Sequence, residues 1–236
     1  MAVVREAIAC NVKPKKPVKS VMKTPLLTTA ITALSLTGAL AQGYIYYSIR
    51  VTGSIVAHVY NYDPNWPSRQ QYGDTATETP PGTQTYAGAL LTGSGWSAQL
   101  WAANGTGQPE DSLTAVPSSV VSFRTGATLG GTIATRTLYV PQVLLLGSGT
   151  FQLRVWDNLG GSLVDWNVAE DAWLRGLIPA GKSLLFNCGP MTQPLNIQPN
   201  MDNFRSFNVY WIPEPGTPPL LALGGLVLWF LRRKQA

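Results

Sequence analysis

The sequence predicts an all-β body, a two-layer antiparallel β-sandwich of jelly-roll-like form with one short helix, on three observations. Only 12% of the 236 residues are charged while 23 are Gly and 18 are Pro, which implies many turns and few solvated helix faces. Short β-branched and aromatic runs recur between those turns with no long helical periodicity among them. No internal repeat is visible, which argues against a solenoid or propeller. A hydrophobic content of 45%, with 10% aromatics, suffices for a packed core.

Tyr44, Tyr46, Ile49, Val51, Ile55, Val56, His58 and Tyr60 predict two strands within residues 43–60, joined by a turn at Thr52-Gly53-Ser54. Residues 61–83 hold Asp63-Pro64, Trp66-Pro67, Gly73-Asp74 and Pro80-Pro81-Gly82 with little periodicity, the pattern of a long surface loop. Strands are expected at 85–91, 97–102, 119–124, 135–140 and 151–156. In the last, Phe151, Leu153 and Val155 alternate with Gln152, Arg154 and Trp156, the period-2 mark of a half-buried strand. Asp157-Asn158-Leu159-Gly160-Gly161 closes it as a turn. Asn167 is expected to cap a helix of about two turns over 168–175, with Glu170 placed as in a capping box and Gly176 as its stop. Strands at 183–187 and 206–212 complete a set of roughly eight to ten.

The net charge of +5 is confined to the ends. Residues 42–212 carry eight basic and ten acidic side chains, a net of −2, so there is no basic stripe for nucleic acid. Residues 1–41 carry Arg5, Lys13, Lys15, Lys16, Lys19 and Lys23, followed by an uncharged, moderately apolar run ending in Ala39-Leu40-Ala41. That is the pattern of a secretory signal helix cleaved before Gln42, with translation expected to start at Met22, where a signal of ordinary length would begin. At the other end, 17 uncharged residues separate Glu214 from Arg232. As a helix they would reach about 26 Å, near the lower limit for a hydrocarbon core of about 30 Å. Trp229 and Phe230 stand where an interfacial anchor would, and Arg232, Arg233 and Lys234 are expected to stay cytoplasmic and stop translocation. The sequence thus divides into a signal peptide (1–41), an extracellular body (42–212) and a tail (213–236) with a transmembrane helix at 220–231.

The triplet Pro213-Glu214-Pro215, the short apolar helix and the terminal basic cluster resemble the PEP-CTERM sorting signal of exopolysaccharide-producing Gram-negative bacteria. That resemblance implies recognition and cleavage at Pro213, Glu214 and Pro215 by an integral-membrane transpeptidase of the exosortase type. The two prolines enforce extended backbone just outside the bilayer, where a protease can reach it. The body is similar to the extracellular domain that accompanies this tail in Verrucomicrobia-type proteins. The pieces that carry this are Ala98-Gln99-Leu100-Trp101, Phe123-Arg124-Thr125-Gly126, Phe151-Gln152-Leu153-Arg154-Val155-Trp156-Asp157-Asn158 and Gly181-Lys182-Ser183-Leu184-Leu185-Phe186-Asn187. The resemblance implies an exported cell-surface or exopolysaccharide-matrix protein and brings no catalytic residue with it.

The residues give catalysis little material. His58 is the only histidine and falls in a strand pattern, no Gly-x-Ser-x-Gly elbow exists, and one His with Cys188 is too few for zinc. Cys10 lies in the signal, so the mature body has no internal disulfide, and Cys188 is expected to be a buried apolar group. Asp63, Asp74, Asp157 and Asp165 could offer oxygens to calcium, but without an Asp-x-Asp-x-Asp loop their expected role is turns and caps. Glu110-Asp111 and Glu170-Asp171 are the carboxylate pairs a glycosidase would need, in contexts where solvated side chains are common. Neither metal nor cofactor is expected. Carbohydrate binding through exposed indoles is the alternative function, with Trp66 in the long loop as the candidate glycan contact. The expected partners are the membrane, through the C-terminal helix, the transpeptidase, and polysaccharide.

Overall fold

A computed structural model describes residues 42–73 and 86–213. They form an all-β body with one helix and several antiparallel sheets. Strand β1 (Gln42–Tyr47) is followed by three two-residue strands, β2 (Arg50–Val51), β3 (Ile55–Val56) and β4 (Val59–Tyr60). Then come β5 (Trp96–Asn104), β6 (Thr114–Ala115), β7 (Val121–Ser122), β8 (Arg136–Leu144) and β9 (Gly149–Asp157). Helix α1 (Trp166–Leu174) precedes β10 (Ala180–Lys182), β11 (Phe186–Cys188) and β12 (Phe207–Asn208).

The largest sheet has six strands in the order β10-β9-β5-β6, with β11 also on β9 and β7 also on β5. Its axis is the antiparallel pair β5–β9, in register from Trp96↔Asp157 to Asn104↔Gly149. The other edge of β9 is taken by β10 and β11 in succession, so the strand is bonded along both sides. β1 pairs antiparallel with β8, and the register slips between Gln42 and Gly43, opposite Pro141. A bulge there suits a residue that has no N–H to give the ladder.

Aliphatic and aromatic side chains of β1, β5, β8 and β9 share one core, including Ile45, Leu100, Leu138, Val140, Phe151, Leu153 and Val155. A second core of Trp156, Trp166, Ala169, Ala172, Trp173, Ile178 and Ala180 joins the opposite face of β9 to α1. Both faces of β9 are therefore covered, and eight of its nine positions are buried. The alternation of this strand separates two different interiors rather than a core from solvent, which corrects the half-buried expectation.

Other boundaries also moved. Expected strand 85–91 reduces, over its described residues, to a bridge between Leu90 and Tyr60, and Gly88 lies hard against the Asn61 carbonyl, where a Cβ would come within 2.0 Å. Strand 206–212 shortens to β12, which runs parallel to β4 and departs locally from the antiparallel rule. The helix begins two residues early. Asp165, not Asn167, is its N-cap, with the carboxylate accepting from Val168 N at 3.2 Å. Gly176 does end it: at φ +68° it lets its own N–H reach Trp173 O and the Leu177 N–H reach Ala172 O, a Schellman closure. Gly181 is needed for another reason, since a Cβ there would meet Asn208 O at 2.9 Å, and only its absence lets β10 lie against residues 208–210.

Two substitutions separate the caps: Asp165→Ala is expected to cost about 1 kcal/mol in urea unfolding, whereas Asn167→Ala, exposed and outside the cap, should stay within about 0.5 kcal/mol.

Candidate functional site

The second face of β9 forms the floor of a charged cleft. Gln152 and Arg154 sit there with only 3% and 5% of their surface exposed. Register places Trp101 of β5 opposite Gln152, and Gln99 of β5 and Lys182 of β10 opposite Arg154 from its two sides. Cross-strand partners share a face, so these side chains form one row. Glu110 enters from a short 3-10 turn (Glu110–Ser112) and Glu170 from α1.

Lys182 is the only lysine in residues 42–212, and it ties the row together. Its Nζ donates to Glu110 Oε1 at 2.8 Å and to Glu170 Oε1 at 2.8 Å. Glu110 also accepts from Gln152 Nε2 at 3.2 Å and lies 3.6 Å from the Arg154 guanidinium. Arg154 lies 3.7 Å above the centre of the Trp101 ring and donates through Nε to Gln152 Oε1 at 2.9 Å. Burying a guanidinium costs several kcal/mol, and stacking on a desolvated indole returns about 2 kcal/mol. Gln152 and the charges of Glu110 and Glu170 offset more of it. Burial alone would raise the Glu110 carboxyl, but hydrogen bonds from Lys182 and Gln152, with the charges of Lys182 and Arg154, hold it below the usual carboxylate range.

Two cavities share the Glu110–Lys182 pair as a common wall. The larger, ≈ 660 Å³, is lined by Gln70, Tyr72, Gln152, Trp173, Leu184 and Tyr210 among others. The smaller, ≈ 350 Å³, is lined by Trp101, Asp111, Leu113, Arg154 and Glu170 with the same pair. Burial, and beyond it the neighbouring Tyr210 and Glu110, pushes the Tyr72 phenol up to about 12, so it is neutral at physiological pH. An edge-to-face chain of rings runs from Trp156 through Trp166 and Trp173 to Tyr210 at the rim, with centroids 6.1, 5.6 and 5.2 Å apart. The Trp173 indole N–H donates to Tyr210 O at 3.0 Å and fixes that rim.

Trp66 is 66% exposed on its loop. It does not line the cleft, although the same loop continues into Gln70 and Tyr72, which do. Gln42 is the first residue of β1, and Pro213 is exposed at the end of the described residues. Ala39, Ala41, Glu214, Pro215, Arg232, Arg233 and Lys234 lie outside the described residues, as does Asp74. Of the other aspartates, Asp63 and Asp157 close turns by accepting from Asn65 N and Leu159 N, and Asp165 caps α1. Among the described residues no group of three or more His, Cys, Asp or Glu side chains is placed to hold a metal, and no helix is long and apolar enough to cross a membrane. Glu110 and Glu170 are partly solvated, and both are tied into the network through Lys182. Sequence reasoning missed Lys182, Gln152 and Arg154 as site residues, and the visible signal was a solitary lysine in a body otherwise free of them.

No protein-family model, curated protein or solved structure matches this chain.

Two measurements check the electrostatics. Because the folded-state value of Glu110 is depressed, its contribution to stability is present above the ordinary carboxylate value of about 4.3 and is lost as pH falls through the folded value. The stability gap between the wild type and Glu110→Gln should therefore be open at pH 7 and close in acid, which urea titrations across pH will show. Cys188 is buried, its thiol is pushed up to about 12 by that burial and then by the Asp202 charge, and its Sγ–H donates to Asn200 O. Maleimide labelling of Cys188 at neutral pH, read on its own peptide, should be slow in the native protein and fast once urea unfolds it.

Proposed function

We propose that this chain is an exported, non-catalytic surface or exopolysaccharide-matrix protein. Its C-terminal sorting signal holds it in the inner membrane with the body periplasmic, before release to the cell surface or exterior. The observation that carries this reading is the tail: Pro213-Glu214-Pro215, an uncharged apolar stretch and Arg232-Arg233-Lys234, in that order. A membrane-embedded, exosortase-type transpeptidase is the partner that such a tail addresses. The body is proposed to be a two-layer, jelly-roll-like sandwich, supported by the single core that β1 and β8 share with β5 and β9.

The cleft argues against glycoside hydrolysis. A general acid needs a raised carboxyl, whereas Glu110 is lowered and shares one ammonium with Glu170. A second reading, carbohydrate binding by the body, has the exposure of Trp66 in its favour.

Mass spectrometry of the mature protein from its own host tests the first reading. The expected C-terminus lies at or near residues 213–215, and an intact Arg232-Arg233-Lys234 end on every molecule would defeat it.

A further inference from the structure

We propose that the two-lobed cleft around Glu110 and Lys182 is a binding site for a neutral oligosaccharide segment, a glycan with hydroxyl groups and no ionised ones. The inference rests on the carbohydrate reading of the body, moves the site away from Trp66 and does not depend on the tail.

Size admits such a ligand, since cavities of about 300–1,000 Å³ are those that enclose small molecules and both lobes fall in that range. The lining suits a pyranose, which has one face of C–H groups and an edge of hydroxyls. Tyr72, Tyr210, Leu184 and Leu185 give the larger lobe an apolar wall, while the exposed Gln70 adds a planar amide at its rim and Gln152 and Ser183, engaged with Glu110, Arg154 and Leu184, form its polar floor. Tyr72 stays an uncharged phenol across the physiological range and already accepts from Gln70 Nε2, so the two side chains hold each other in place.

Charge then selects among sugars. Both cations facing the cleft are already paired, Lys182 with Glu110 and Glu170, and Arg154, its side chain 6% exposed, with Glu110 while it stacks on Trp101, so a uronate or sulfate would have to displace a carboxylate. Glu110 and Glu170 are engaged in turn, which leaves no opposed pair of free carboxylates for an amino sugar. A network of this kind does not earn its place through stability, because apolar groups of the same size commonly do as well or better. It does fix Glu110, Gln152 and Lys182 before a ligand arrives, which lowers the ordering cost of binding.

The test is a glycan array of neutral, uronic-acid and amino-sugar oligosaccharides, probed with the full chain in detergent and followed by titration calorimetry on the best binder. Binding to neutral glycans is expected. Tyr210→Ala should weaken it by about tenfold and Gln70→Ala, an exposed rim residue whose loss leaves the fold intact, by about threefold, while Trp66→Ala should change it less than about twofold. A urea midpoint for each variant separates lost binding from lost folding, and the Gln70→Ala result stands even if Tyr210→Ala is unstable. Binding confined to uronic-acid or amino-sugar glycans overturns the proposal, as does the absence of any neutral binder. Loss of binding in Trp66→Ala with Gln70→Ala and Tyr210→Ala unaffected overturns the cleft while keeping the carbohydrate reading.

Discussion

The body is organised around a strand that has no exposed side. β9 is hydrogen-bonded to β5 along one edge and to β10 and β11 along the other, and both of its faces are covered. One face can be filled with Phe151, Leu153 and Val155 at no electrostatic cost. The other carries Gln152 and Arg154, and a buried guanidinium must find compensation within reach. Glu110 on its turn, Trp101 on β5 and Glu170 on α1 all answer that one demand. Where Glu110 stands then fixes where Lys182 and Glu170 meet it.

The sequence disclosed the two faces of β9 but not what covered them. Alternation reports that neighbouring positions differ in environment, and Gln152, Arg154 and Trp156 look the same whether they meet water or a second core. Strands β8 and β9 stood out for their β-branched and aromatic residues, Thr137, Tyr139, Val140 and Val143 in one and Thr150, Phe151, Val155 and Trp156 in the other. β10 was missed because Ala180-Gly181-Lys182 has no such residues, and it exists because Gly181 permits a close approach to residues 208–210. The helix was legible from its capping pattern and from Gly176, while its start was misplaced because Asp165 and Asn167 are both good caps and only the path of the chain chooses between them.

The cleft was less legible still, for a physical reason. Glu110, Arg154, Glu170 and Lys182 come from a turn, a strand, a helix and another strand, and their meeting depends on sheet register that no local pattern encodes. Glu110-Asp111 and Glu170-Asp171 drew notice as adjacent carboxylates, yet the pairing that matters joins one member of each through Lys182. The reading of the tail, by contrast, is wholly local, a matter of prolines, hydropathy and terminal charge.

The ring chain from Trp156 to Tyr210 has an optical consequence. Indoles held edge to face with centres 6.1 and 5.6 Å apart couple their electronic transitions, and such coupling produces circular dichroism of its own in the far ultraviolet. In a protein built from short strands the amide signal is weak, so the aromatic bands will overlay it. A spectrum decomposed on amide bands alone would then assign this chain a strand content it does not have, and the distortion would vanish on unfolding along with the stack.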